Sequence, residues 1–154
     1  MELRSILEQT PVGELTLTER PTLEPSDTVA SAAERMRETS HGSLFVCQGD
    51  RLVGIFTERD LLRCIGSSED LSTPLADVMS ANPQTLTTGD SLLEAVRLMD
   101  EGSYRRLPIV DSEGMPVGIV DVKTVVHFLV EHFPAAIYNQ ASHAQLTAKN
   151  REGA

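Results

Sequence analysis

The segment Gly54-Ile55-Phe56-Thr57-Glu58-Arg59-Asp60 holds the residues whose types and spacing could do chemistry. Thr57 and Asp60 stand three apart, where an apolar run gives way to a helical pattern. In the simplest reading they form a capping box, the hydroxyl accepting from a backbone N–H and the carboxylate reaching back. A carboxylate here is also a strong hydrogen-bond acceptor, and Gly54 permits close backbone approach. A second group is cationic: Arg105-Arg106, the one Arg-Arg pair, and Lys123, one of two lysines. Arginine offers phosphate oxygens a planar fork and lysine a point charge. The competing reading leaves Arg105 and Arg106 as ordinary solvated residues. Metal and catalytic chemistry find little support. His41, His127, His132 and His143 are scattered, and His127 and His132 are five apart, off the i, i+4 spacing of helical metal ligands. Cys47 and Cys64 have no metal or redox spacing. No Ser, Cys or Lys has an activating partner in the sequence, and the many acids form no pair suited to acid–base work.

The elements that must position these residues occur twice. Thr22-Leu23 … Asp27-Thr28-Val29 … Met36 returns 63 positions later as Thr85-Leu86 … Asp90-Ser91-Leu92 … Met99. One extra residue enters near Gly114, and Val53-Gly54-Ile55-Phe56 then returns as Val117-Gly118-Ile119-Val120. An internal repeat of this kind sets the architecture. Each copy reads as a short extended segment (Pro21-Thr22-Leu23 or Gln84-Thr85-Leu86), a helix, two strands around a Gly-containing turn, and a second helix. Val29, Ala32, Ala33 and Met36, like Leu92, Ala95, Val96 and Met99, fall on one helical face. Asp27 and Asp90 stand where capping or first-turn acids belong. Pro108 belongs at a strand's start or edge. The expected organisation is a leading helix over 1–11, a first repeat over 12–66, a polar connector over 67–74, a second repeat over 75–131, and a partly mobile extension over 132–154.

Composition agrees with a small α/β protein. The chain has 154 residues, 40% of them apolar and 4% aromatic, with no Trp, which suits an aliphatic core. Repeats of roughly 55–60 residues are marginal alone and are expected to bury surface against each other. A net charge of −10 argues against a broad nucleic-acid interface and leaves room for a small anion in a local basic pocket. No run approaches the length of a membrane span, and the N-terminus lacks the layout of a signal peptide. Cys47 and Cys64 read as reduced core residues, which points to the cytoplasm. No catalytic or DNA-binding domain accompanies the repeats, so a regulated target is expected to be a separate molecule.

Two copies of β-α-β-β-α, each with a glycine and two apolar residues before its last helix, resemble a tandem pair of CBS domains, called a Bateman module. Gly54-Ile55-Phe56-Thr57-Glu58-Arg59-Asp60 carries the likeness most specifically, and it covers about residues 12–130. The resemblance implies an α/β fold with pseudo-twofold symmetry and two clefts for adenosine-containing ligands. It also implies homodimers formed through helical faces, and a sensor or regulator in place of an enzyme. By the same resemblance, Asp60 accepts the ribose hydroxyls, while Thr57 and nearby backbone N–H groups face phosphate. Arg59 belongs to the same segment. Arg105 and Arg106 lean across to that cleft, and Lys123 points toward the same phosphates. Ile55, Leu23, Leu86 and Pro108 are candidates for an apolar adenine slot, with the Thr85 hydroxyl nearby.

Differences between the copies single out one cleft. Asp121 and Thr124 stand where the first copy has Thr57 and Asp60, so the helix keeps a cap but loses the ribose carboxylate. Gly42 and Ser43 stand where the second copy has Arg105 and Arg106, so the other cleft is expected to lack the cation pair. Both differences favour the Thr57–Asp60 cleft for AMP, ADP or ATP; S-adenosylmethionine, a sulfonium, suits the cations less well. The alternative is a ligand-free dimerisation or protein-interaction scaffold. Neither reading expects a nucleic-acid or membrane partner.

Overall fold

The computed structural model describes residues 2–102 and 104–140. The expectation of a mobile tail falls mainly beyond residue 140, outside the described residues. The chain opens with α1 (Leu3–Gln9) and a 3-10 turn at Val12–Glu14. The first repeat supplies β1 (Thr22–Leu23), α2 (Val29–Thr39), β2 (Ser43–Gln48), β3 (Arg51–Thr57) and α3 (Glu58–Gly66). A short helix α4 (Leu75–Val78) and strand β4 (Ser80–Ala81), neither anticipated, come next. The second repeat follows with β5 (Leu86–Thr87), α5 (Leu92–Glu101), β6 (Arg106–Val110), β7 (Pro116–Asp121) and α6 (Val122–His132). Both copies therefore show the β-α-β-β-α order, although β5 starts at Leu86 and not at Gln84.

Local chemistry explains the element ends. α2 buries Val29, Ala32 and Met36, and α5 buries Leu92 and Ala95, the inner stripe of an amphipathic helix. Their caps are Thr28 and Ser91, whose hydroxyls accept from Ser31 N at 3.1 Å and Glu94 N at 3.2 Å. Asp27 and Asp90, expected in that role, lie one residue too early. The Asp27 carboxylate instead accepts from Glu24 N at 2.7 Å and closes the preceding turn. Between β2 and β3 the two-residue turn needs a positive φ, which Gly49 supplies at 62°. The longer β6–β7 turn carries the inserted residue. Gly114 there has φ 86°, and Asp111 Oδ1 accepts from Glu113 N and Met115 N, both at 2.9 Å.

The strands form two sheets, one ordered β1-β2-β3-β4 and the other β5-β6-β7. β1 runs parallel to β2 and β5 parallel to β6, while β2–β3 and β3–β4 are antiparallel. Pro108 was expected at a strand's start or edge, yet it lies within the middle strand of the second sheet. The two residues of β5 pair only with Ile109 and Val110, so beside Pro108 that flank of β6 has no ladder to interrupt.

The two repeats exchange their leading segments. β4 leads into the second repeat but pairs with β3 of the first, Gly54 opposite Ala81 and Ile55 opposite Ser80. Thr18 leads into the first repeat but bridges Ile119 of β7, with bonds of 3.2 and 3.0 Å. The exchange continues upstream. Val29 N donates to Thr73 O at 3.1 Å, and Leu92 N donates to Thr10 O at 2.8 Å. Leu75 N donates to Asp27 O at 2.8 Å, and Val12 N to Asp90 O at 2.7 Å. Pro74 bridges Thr28 as Pro11 bridges Ser91.

The compact units accordingly do not coincide with the repeats. One comprises Leu17–Thr87 and Pro108–Ile119; the other comprises the described parts of Met1–Thr16, Thr88–Leu107 and Val120–Ala154. In the former, Val29, Ala32, Met36, Leu44, Val46, Phe56, Cys64 and Leu75 form a core cluster, and Phe45, Cys47 and Ile119 form a second. In the latter, α1 and α6 each pack on α5, and Ile6, Leu7, Val12, Leu92, Val125 and Leu129 are buried. Cys47 and Cys64 are free and buried. Burial pushes both thiols above their ordinary pKa, with Asp50 adding to the effect at Cys47 and Glu69 at Cys64.

Candidate functional site

β3 ends at Thr57, whose extended backbone makes it the N-cap of α3. The expected capping box is complete. Thr57 Oγ1 accepts from Asp60 N at 3.3 Å, and Asp60 Oδ2 accepts from Thr57 N at 2.9 Å and from Thr57 Oγ1 at 3.1 Å. The Asp60 side chain is 5% exposed. A carboxylate has about four lone-pair directions, and the two of Oδ2 are engaged. Oδ1 receives Arg63 Nη1 at a long 3.4 Å, from a guanidinium that stands largely in solvent. Such an exposed contact holds its partner weakly, so Oδ1 keeps acceptor capacity that the chain itself engages only loosely.

Gly54 has a packing role. The group that approaches it is part of the chain itself: a Cβ at Gly54 would collide with Met79 Sδ, beside the β3–β4 pairing. Its counterpart Gly118 faces Leu17, where a Cβ would come within 2.7 Å of Leu17 Cβ. Both glycines thus make room for the leading segment of the other repeat. Gly54→Ala is expected to destabilise the protein by about 1–3 kcal/mol through overpacking. Urea denaturation measures this, and an unchanged midpoint would refute the packing role.

The remaining sequence-derived residues have these places. Ile55 is half-buried and packs on the Phe45, Cys47 and Ile119 cluster. Leu23 packs on the α2–α3 core. Leu86 and Pro108 are buried, Thr85 is half-buried, and Arg59 is exposed on α3. In the other unit, Arg105 and Arg106 are exposed at the start of β6. Val122 N donates to Arg105 O at 3.1 Å, which sets Arg105 beside the start of α6, where Lys123 is also exposed. Glu58 N donates to Gly42 O in the same way at 2.9 Å. Asp121 caps α6, its Oδ1 accepting from Thr124 N at 2.7 Å and Thr124 Oγ1 at 3.0 Å. The capping function therefore survives the exchange of residue types. Among the described residues no ion pair within 4.0 Å engages Arg59, Arg105, Arg106 or Lys123.

One contact escaped sequence reasoning. Gly42 and Ser43 are expected at the other cleft, yet Ser43 lies opposite Thr57 in the β2–β3 ladder, and its Oγ accepts from Arg20 Nε at 3.0 Å. Arg20 and Ser43 lie 23 positions apart, and no local pattern links them. The pairing of β1 beside β2 brings them together. An open groove of about 480 Å3 runs along α2 past Asp27, Ala30, Glu34 and Glu38, and none of the candidate residues above lines it apart from Leu23. Among the described residues no cluster of three or more His, Cys, Asp or Glu side chains could hold a metal ion, and no helix is long and apolar enough to cross a membrane.

Comparison with known proteins gives these elements a family. The family model described as CBS domain matches residues 12–67 and again 75–131. The CBS domain-containing protein CBSCBSPB3 of Arabidopsis thaliana is 32% identical over 124 residues, covering 77% of this chain. The chain spans only 22% of that relative's length. A crystal structure of CBSX2 in complex with AMP is 28% identical with a TM-score of 0.67, covering 79% of this chain and 97% of its own. The cytosolic domain of the Mg2+ channel MgtE in complex with ATP is 28% identical with a TM-score of 0.69, covering 80% of this chain and 50% of its own. With both repeats matched by one family model and the same element order in each, the chain belongs to the CBS domain family as a tandem pair.

Proposed function

We propose that this chain is a regulatory module that binds an adenine nucleotide, AMP, ADP or ATP, around Thr57 and Asp60, with residues 12–66 and 75–131 as its two copies. The observation that carries the reading is Asp60: a buried carboxylate held by its own capping box, with Oδ1 left to a weak contact with Arg63. Similar structures in complex with AMP and with ATP support the ligand class. In this reading Asp60 Oδ1 takes a ribose hydroxyl, and Thr57 and the first N–H groups of α3 meet the phosphate. Gly54, Ile55, Arg59, Thr85 and Pro108 complete the neighbourhood. Arg105, Arg106 and Lys123, exposed cations of the second repeat, are the further phosphate contacts that the CBS resemblance implies. No catalytic step is proposed. The ligand acts as a switch only if it binds two states with different affinity.

Thermal unfolding with and without each nucleotide tests the proposal. At a ligand concentration of about 100 times Kd the folded state gains about 2.7 kcal/mol, a rise of several degrees in Tm. Asp60→Asn keeps the side chain's shape and is expected to lose most of that rise. If AMP, ADP and ATP at millimolar concentration all leave Tm unchanged, the proposal fails. A second reading, a self-associating scaffold, is favoured by exposed apolar residues on two helices: Leu62 and Ile65 of α3, and Val122, Val126 and Val130 of α6. A stable dimer by light scattering with no nucleotide response would select it.

A further inference from the structure

We infer that Arg20, which the sequence pattern did not mark, is the phosphate-recognising arginine of the Thr57–Asp60 site; this rests on the nucleotide reading above. Arg20 Nε donates to Ser43 Oγ at 3.0 Å, and its Nη1 donates to Glu19 O at 3.1 Å. Ser43 is 2% exposed, so the guanidinium is anchored by a buried hydroxyl. In the β2–β3 ladder Ser43 lies directly opposite Thr57. Directly opposed residues of an antiparallel pair carry their side chains on the same face, about 5 Å apart. The Arg20 guanidinium therefore stands one hydroxyl away from Thr57, the residue that caps α3 and is tied to Asp60. All four residues belong to one compact unit.

This arrangement suits a nucleotide better than a neutral nucleoside. Asp60 is an anion and offers phosphate nothing, so a cation must offset it. Arg20 supplies a planar fork whose geometry matches phosphate oxygens. Glu58, the acid whose carboxyl flanks Gly42, is exposed at the start of α3, where solvent screens it. Arg20 is thus expected to separate AMP from adenosine, which has the same base and diol but no phosphate.

Isothermal titration of the full chain with AMP and with adenosine tests this in the wild type, Arg20→Ala, Arg20→Lys and Ser43→Ala, with far-UV circular dichroism confirming that each variant is folded. Arg20→Ala is expected to weaken AMP by roughly tenfold or more, as for loss of a charged hydrogen bond, and to leave adenosine within about twofold. Arg20→Lys, which keeps charge but not the fork, should fall between, as should Ser43→Ala, which frees the anchor. Equal losses for AMP and adenosine, or no loss for either, would overturn the role of Arg20 while leaving the nucleotide site standing. If Arg20→Ala does not fold, Arg20→Lys decides by the same comparison. A wild-type chain that binds neither ligand sinks the nucleotide reading and this inference together.

Discussion

A chain that ends at residue 66 is expected not to fold cooperatively, although it holds every element of the first repeat. It lacks Leu75, which is fully buried in the core with Phe56 and Leu44, and it lacks Val78 and Met79, which pack on that core. It also loses β4, which pairs with β3 on its outer side. At the start of α2, Val29 N loses Thr73 O and Ala30 N loses Leu71 O, bonds of 3.1 and 2.9 Å. A fragment of about 60 residues has little stability to spare, and removing one buried leucine alone costs about 2–5 kcal/mol. Far-UV circular dichroism in urea should show a shallow, non-cooperative change for residues 2–66, against one steep transition for the full chain. Adding residues 67–140 as a second peptide should restore the steep transition. A cooperative transition from the short fragment alone would show that the exchanged segment is dispensable.

Phe56→Ala is expected to be the most damaging single substitution near the site, at about 3–5 kcal/mol. Phe56 is among the largest fully buried side chains and belongs to one core cluster with Val29, Met36, Leu44, Val46, Cys64 and Leu75. Its removal leaves a cavity between β3 and the helices, and it directly precedes Thr57. Against a total stability of about 5–15 kcal/mol for an ordinary domain, the loss leaves a marginal protein. Urea midpoints at constant slope measure it. Leu62→Ala is the control: Leu62 is 69% exposed, and truncation there should stay within about 0.5 kcal/mol in the monomer. If the two substitutions cost the same, the core assignment of Phe56 is wrong.

Residues close in sequence were the ones that could be read. The helical faces of Val29, Ala32 and Met36, the turn at Gly49, the capping box of Thr57 and Asp60 and the cap at Asp121 all depend on neighbours within a few positions, where spacing carries the information. Pairing at long range left no such mark. β4 is two residues long and has no periodicity to detect, and its partner lies more than twenty positions away. The approach of Met79 to Gly54 depends on that pairing, so nothing local in the sequence marks it. The Asp caps were misplaced by one residue because Thr28 and Ser91 supply equally good hydroxyls. Arg20 was passed over because its contact with Ser43 exists only once β1 lies beside β2.

The exchanged leading segments also bear on how such a chain could arise. A single ancestral repeat with this geometry has no way to complete its own sheet, because the strand it needs lies ahead of another repeat. Two separate copies could each lend the other that strand, so a self-paired ancestor is complete where a solitary one is not. Duplication in tandem then replaces an encounter between molecules with one within a chain, at the millimolar effective concentration that a short linker provides. Once linked, the copies are free to diverge without losing their mutual completion. Thr57 and Asp60 differ from Asp121 and Thr124 at positions where the helix cap is kept.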